Sequence, residues 1–283
     1  MSEDPNRFRL AGVMGWPIGH SRSPLIHNHW LRERNLQGAY VPLAVPPEKL
    51  DRALHALHPL GFAGVNLTIP HKVAACGIVD RLDAAARAIG AANTIVVGAD
   101  GELDGRNTDA FGFLESVREA QPGMDFRQGP AVVIGAGGAA RAIVYGLLEA
   151  GAPVVRITNR TLPRAQSLAE EFGPRVEPHP WEARAALLGG AAVVVQTTAL
   201  GMAGQPPLDL DLTDLGPEAT VCDIVYTPRR TPLLEAAAAR GNRIVEGLGM
   251  LLHQARPAFG AWFGEVPENS PALQALLDHS LPR

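Results

Sequence analysis

The stretch "NLTIPHK" at residues 66–72 places Asn66, Thr68 and Lys72 at the end of an apolar run. Polar and apolar side chains alternate there, and a period of two puts Asn66 and Thr68 on one face of a strand. Pro70 breaks the run, and Lys72 follows within reach of the same spot. An amide, a hydroxyl and an ammonium together suit an oxygen-rich small molecule, and a lysine can hold or move a proton beside a carbonyl. Asp109, in "GRNTDAFGF" (105–113), is the acid to pair with it, and Asn93, in "GAANT" (90–94), adds a second amide. Singly, the plainer readings are a surface lysine and an acid in the first turn of a helix. As a set, these residues point to a substrate with several hydroxyls.

"GHSRSPLIHNHW" (19–30) supplies Ser21 and Ser23 at a helix N-terminus, where hydroxyls and open backbone N–H groups favour a carboxylate. Ser23 is expected to cap that helix, with Pro24 as its first helical residue. His27 and His29 are two apart and do not share a helix face. With no third ligand suggested, no metal site is expected.

A cofactor is signalled further on. "AVVIGAGGAAR" (131–141) reads as a strand, then G-x-G-x-x-A opening a helix. Gly135, Ala136, Gly137, Gly138 and Ala139 would let a pyrophosphate approach backbone amides at the positive end of that helix. After the next strand an NAD site usually carries a carboxylate for the ribose 2′-OH. This chain has "TNRTLPRA" instead, with Asn159, Arg160, Thr161 and Arg164. Two guanidiniums attract a 2′-phosphate that a carboxylate would repel, so the expected cofactor is NADP(H).

These residues need strand ends and helix starts to hold them. Strand patterns are read at 9–13, 40–45, 63–69 and 94–97, and helices at 23–34, 47–57 and 84–89, with "ADGEL" (99–103) as turn chemistry. A second series follows the polar 121–130 segment: strands at 131–134, 154–159, 191–196, 221–224 and 243–245, and helices at 139–150, 162–172, 231–240 and 248–263. The alternation predicts an α/β fold with parallel sheets. Two α/β domains are expected, with a cleft between them.

The bulk numbers agree. A chain of 283 residues has room for two domains, and 46% hydrophobic content with few aromatics suits buried parallel strands. A net charge of −4 makes nucleic acid and acidic membranes unsuitable partners. The charged start, MSEDPNRFRL, has no apolar signal region. The uncharged stretch 185–208 is interrupted by Gly and Pro pairs, so no membrane span is expected. Cys76 and Cys222 stand alone in apolar contexts, as buried thiols of a reducing, cytoplasmic compartment do.

"SRSP", "NLTIPHK", "GAANT", "GRNTD", "GAGGAAR", "TNRTLPRA", "DIVYTPRRTPLL" and "EGLGMLLHQA", in this order from 21 to 255, resemble the shikimate dehydrogenase family. The resemblance implies NADPH-dependent reduction of 3-dehydroshikimate to shikimate. It implies that Ser21, Ser23 and Tyr226 hold the substrate carboxylate. It gives the hydroxyls to Asn66, Thr68, Asn93, Asp109 and Gln254, and the acid–base chemistry to Lys72 with Asp109. It adds Ile224 and Gly247 to the NADP-lining residues 135–139 and 159–164. It implies a discontinuous substrate domain, 1–108 plus 248–283, around a Rossmann domain, 109–247, in a monomer or homodimer. Three positions depart from the family pattern: Ala110 for the common Gly, Gln196 for Asn, and Ala84 for a polar or acidic residue. Arg160 and Arg164 argue against an NAD-using quinate dehydrogenase, and the serine pair argues for shikimate over quinate.

Overall fold

The Val, Ile and Ala runs become strands in two sheets. The computed structural model describes residues 8–280, which divide into one unit of residues 8–108 with Leu252–Ser280 and another of Asp109–Leu251.

In the first unit, β1 (Arg9–Gly15), β2 (Gly38–Ala44), β3 (Phe62–Leu67), β4 (Arg81–Leu82), β5 (Thr94–Val97) and β6 (Leu103–Arg106) form a sheet ordered β2-β1-β3-β5-β6-β4. Helices α1 (Ser23–Glu33), α2 (Leu50–His55) and α3 (Ala84–Ile89) belong to this unit. β1 pairs in parallel with both β2 and β3, so the chain reverses its winding between β1 and β3. Loops leaving adjacent strands at such a switch point diverge and leave a crevice. The segments after β1 and β3, which carry the serine pair and Lys72, leave from this point.

The expectation of parallel sheets fails in part here. β5 runs antiparallel to both β3 and β6. Only residues 98–102 join β5 to β6, too few for a crossover, and Gly101 takes φ +91° in the turn.

The start of α1 also differs. Its N-cap is Arg22 with no side-chain cap, and Ser23 is the first helical residue. Ser23 lies inside the helix rather than ahead of it, and its hydroxyl hydrogen-bonds the buried Tyr40 hydroxyl. The Ser23 N–H is taken by Ser21 Oγ at 3.3 Å.

In the second unit, β7 (Ala131–Ile134), β8 (Val155–Thr158), β9 (Val176–His179), β10 (Val193–Gln196), β11 (Thr220–Asp223) and β12 (Arg243–Val245) are parallel throughout, ordered β9-β8-β7-β10-β11-β12. This is the doubly wound order of dinucleotide-binding folds, with its switch point between β7 and β10. Helices α4 (Asp109–Ala120), α5 (Gly138–Glu149), α6 (Leu162–Phe172) and α7 (Pro232–Ala239) cover it. Strand residues alternate between two cores. Val133, Val155, Ile157 and Val195 meet Phe113, Ile143, Leu147 and Leu168, while Val132, Ile134, Val194 and Val221 meet Leu188, Leu233, Leu234 and Ala237. Burial on both faces is what the apolar runs of β7 and β10 require. Ala110 fits here: it is buried and lies 3.6 Å from where a Cβ on Gly146 would stand.

The final helices are α8 (Gly247–Phe263) and α9 (Pro271–Ser280). Near the end of α8 the buried Trp262 donates its indole N–H to the Ile95 carbonyl at 3.0 Å, and Gly64 makes room for that bond. A Cβ at Gly64 would fall 2.0 Å from the Ile95 oxygen and 2.2 Å from Trp262 Nε1. Gly64→Ala is therefore expected to destabilise the protein by about 3 kcal/mol or more, from overpacking plus a lost buried hydrogen bond. Urea unfolding within about 1 kcal/mol of wild type would refute that.

Candidate active site

In the first unit a buried chain of hydrogen bonds links four of the expected substrate residues, Ser23, Asn66, Asn93 and Gln254. Ser23 bonds the Tyr40 hydroxyl, which donates to Asn66 Oδ1 at 2.7 Å. Asn66 Nδ2 donates to the Asn93 carbonyl and to Thr94 Oγ1, each at 3.1 Å. Asn93 Nδ2 donates to Thr108 Oγ1 at 2.9 Å and to Gln254 Oε1 at 3.2 Å, and Asn93 Oδ1 accepts the Thr108 N–H at 2.9 Å. Ser23, Asn66, Asn93, Thr108 and Gln254 are all buried. Amides and hydroxyls locked this way hold one orientation, the preorganisation that selective recognition of hydroxyls needs.

Lys72 joins this chain through its backbone. β3 ends at Leu67, whose N–H bonds the Asn93 carbonyl, and the Thr68 N–H bonds the Met14 carbonyl. Beyond the cis Ile69–Pro70 peptide, the Lys72 carbonyl accepts the Ala92 N–H at 2.8 Å. Lys72 and Thr68 are half-buried, while Asn66 is buried. The structure thus brings Ser21, Ser23, Asn66, Thr68, Lys72, Asn93 and Gln254 into one connected region. Asp109 opens α4 in the second unit, is buried, and directly follows Thr108.

Tyr40, Thr94 and Thr108 were not singled out by sequence reasoning. Tyr40 sits in a strand that reads as apolar, and its burial raises its pKa above the ordinary phenol range, opposed by the Ser23 bond. His27 stacks on it with ring centroids 4.0 Å apart and planes 2° from parallel. His27 is fully buried, neither ring nitrogen has a hydrogen-bond partner among the described residues, and desolvation lowers its pKa to about 3.

The unfolded chain therefore binds a proton at His27 near pH 6.5 that the folded chain refuses until about pH 3. This contribution is present above pH 6.5 and is lost as pH falls towards 3. His27→Phe keeps the aromatic stack and removes the titration. The variant is expected to lose less stability than wild type between pH 7 and pH 4 in urea titrations. Equal losses would count against it.

In the second unit, β7 runs into Gly135, at φ +115°, whose N–H bonds the Thr158 carbonyl at 2.8 Å. A Cβ there would stand 2.4 Å from Thr197 Oγ1. Gly137 is the N-cap of α5 with no side-chain cap, and nothing lies within 4 Å of where its Cβ would be. Backbone amides at a helix N-terminus that begins in glycine form a cradle for a pyrophosphate. After β8, Asn159 Nδ2 donates to the Thr161 carbonyl at 2.9 Å, and Thr161 begins α6 without a side-chain cap. Arg160 and Arg164 are exposed beside that helix start and form no ion pair among the described residues. The residues fit a dinucleotide carrying an additional phosphate.

Residues 13–95 match the family described as "Shikimate dehydrogenase substrate binding domain", and residues 118–202 match "Shikimate / quinate 5-dehydrogenase". The shikimate dehydrogenase (NADP(+)) of Rhodospirillum rubrum is 57% identical over 274 residues, covering 95% of this chain and 96% of that one. This chain belongs to the shikimate dehydrogenase family. The shikimate 5-dehydrogenase of Thermus thermophilus, solved with NADP(H) and shikimate, superposes with a TM-score of 0.84 at 38% identity, covering 95% of this chain and 98% of that one. The quinate dehydrogenase of Corynebacterium glutamicum, solved with NAD, superposes at 0.87 with 29% identity, covering 95% and 98%.

Gln196, which departs from the family pattern, is fully buried at the end of β10. Its Nε2 donates to the Thr198 and Leu200 carbonyls at 3.1 and 2.8 Å, and its Oε1 accepts the Thr198 N–H. The longer amide thus shapes the loop that follows the switch point. Gly247, at the start of α8, packs on Ile224: a Cβ there would fall 2.5 Å from the Ile224 carbonyl. Nothing in the structure explains Ala84. Cys222 is buried and its pKa is raised by desolvation, whereas Cys76 is half-buried rather than buried as expected.

Proposed function

We propose that this chain catalyses the reversible, NADPH-dependent reduction of 3-dehydroshikimate to shikimate in aromatic amino-acid biosynthesis. The observation that carries the reading is the locked chain Ser23–Tyr40–Asn66–Asn93–Gln254, preorganised for a small polyol acid. Residues 1–108 plus 248–283 form the substrate domain, and 109–247 the NADP domain. Ser21, Ser23 and Tyr226 take the carboxylate. Asn66, Thr68, Asn93, Asp109 and Gln254 take the hydroxyls. Both Asn66 amide protons are committed inside the protein, so Asn66 meets a substrate hydroxyl as an acceptor, through the second lone pair of Oδ1.

The NADP site consists of Gly135, Ala136, Gly137, Gly138, Ala139, Asn159, Arg160, Thr161, Arg164, Ile224 and Gly247. Bound NADPH supplies hydride to the keto carbon. Lys72 and Asp109 together supply the proton to the keto oxygen. The Lys72 ammonium also stabilises negative charge as it grows on that oxygen.

The protein acts in the cytoplasm as a monomer or homodimer, and its net charge of −4 does not suit nucleic acid. No helix among the described residues is long and apolar enough to cross a membrane.

An absorbance assay at 340 nm, crossing shikimate and quinate with NADP+ and NAD+, tests the reading. Efficient turnover is expected only for shikimate with NADP+, and no turnover of shikimate would end it. The likeness to a quinate dehydrogenase favours one alternative, an enzyme of broader substrate or cofactor use. Comparable turnover of quinate or with NAD+ would select that alternative.

A further inference from the structure

The end of β11 carries a carboxylate to which the reading above gives no role. Asp223 is 2% exposed and forms no ion pair among the described residues. A buried charge without a cation is costly, and such a residue persists in a fold when its hydrogen bonds cannot be supplied by an apolar side chain. Asp223 Oδ1 accepts the Val225 N–H at 2.9 Å, and Oδ2 accepts the Thr231 hydroxyl at 2.7 Å. Thr231 Oγ1 in turn accepts the Leu234 N–H at 3.4 Å and so caps α7. One carboxylate therefore ties both ends of the loop between β11 and α7, and Tyr226 lies between the ties.

We propose that Asp223 is a positioning residue that fixes the 225–231 loop, and with it Tyr226, for binding the substrate carboxylate. The proposal rests on the function assigned above.

The direction of the hydrogen bonds makes the carboxylate specific. Thr231 already accepts from the Leu234 N–H, so its hydroxyl proton needs an acceptor, and Asp223 Oδ2 provides one. An asparagine at 223 can accept the Val225 N–H, but its Nδ2 would have to donate to Thr231 and leave the hydroxyl proton without a partner.

Ile224 is held independently. Its N–H bonds the Gln196 carbonyl at 3.1 Å, and Gly247 packs on its backbone. The Asp223 ties therefore act on the Tyr226 side of the loop, together with the pairs of Arg229 and Arg230 with Glu246, and apart from the hold on Ile224. A further bond, from the Ala203 N–H to the Thr227 carbonyl at 2.8 Å, joins this loop to the one shaped by Gln196.

The test compares Asp223→Asn, Thr231→Val and Thr231→Ser with wild type. The expected result is a rise of about tenfold in KM for shikimate for the first two, with KM for NADP+ changed less than about twofold. Thr231→Ser keeps the hydroxyl and is expected to restore the wild-type KM. Hydrogen–deuterium exchange of the 224–231 segment is expected to quicken in Asp223→Asn without quickening across β7 or β10.

Equal rises in both KM values, or unchanged exchange at 224–231 in folded variants, would overturn the proposal. So would an unchanged shikimate KM. If wild type itself does not oxidise shikimate, the assigned function has failed, and the exchange measurement still decides whether Asp223 holds the loop.

Discussion

Lys72→Ala is expected to lower kcat by about 10²- to 10⁴-fold, the range general acid–base catalysis contributes, while KM for NADP+ stays near wild type. That range corresponds to about 3–5 kcal/mol of transition-state stabilisation. The Lys72 carbonyl receives the Ala92 N–H, and alanine keeps that bond. The side chain is half-buried, so its removal leaves no large cavity. The variant should therefore fold and bind cofactor. Single-turnover and steady-state rates with saturating shikimate and NADP+ would show the loss in the chemical step. A kcat within a factor of three of wild type would remove Lys72 from the mechanism.

The second large effect concerns the cofactor. Arg160 and Arg164 flank the uncapped start of α6, and neither has a carboxylate partner among the described residues. A guanidinium on a phosphate makes a charge-assisted bond of about 1.5–3 kcal/mol. Replacing both by alanine is expected to raise KM for NADP+ by about 10²-fold or more, leaving KM for shikimate little changed. The KM for NAD+, which lacks the 2′-phosphate, should change far less, so the preference for NADP+ should collapse. Parallel increases for NADP+ and NAD+ would mean that the arginines do not read that phosphate. Because the contact is ionic and exposed, the wild-type preference should also weaken at high salt.

Two titrations act on stability with opposite signs. His27 withholds a proton in the folded state and costs stability as pH falls below 6.5. Asp223, pushed up to about 6 by burial against its two hydrogen bonds, binds its proton more tightly when folded. Its contribution is full below pH 3.8 and is lost as pH rises through 6. The difference between wild type and His27→Phe isolates the histidine from this opposing background.

Local signals carry the reading wherever the proposed chemistry depends on the backbone beside a residue. The glycine cradle of 135–139 needs only a strand, a tight turn and a helix start, all written within a dozen residues. The arginines follow the next strand at a fixed place in the same unit. The helices at 84–89 and 162–172 and the strands at 94–97, 131–134 and 243–245 were read with the bounds the structure has, because their patterns are regular and their ends carry Gly, Pro or polar stops. The sheet mixture in the first unit was not legible. Strand direction depends on which strand is the neighbour, and β5 pairs with β3 from 28 residues away, Asn66 against Thr94. β4 was missed because it has two residues, and β6 and β9 because Asp104, Gly105 and Arg106, and Glu177 and Pro178, read as turn chemistry rather than as strand.

By itself the sequence determined the family and the two α/β series, and it nominated the side chains proposed to offer a proton, a phosphate grip and hydroxyl-binding amides. Only the tertiary structure decided how those side chains are held. Ser23 reads as a helix cap, yet a tyrosine from β2 engages its hydroxyl. Asn66 reads as a ligand of the substrate, yet both of its amide protons serve Asn93 and Thr94. Tyr40 and Asp223 look like ordinary strand residues until their partners, at 66 and 231, come within hydrogen-bond distance. The physical reason is burial. A polar group on an isolated strand is satisfied by water. Only when the fold removes that water must it find a protein partner, and the partner is chosen by topology rather than by neighbours in the chain.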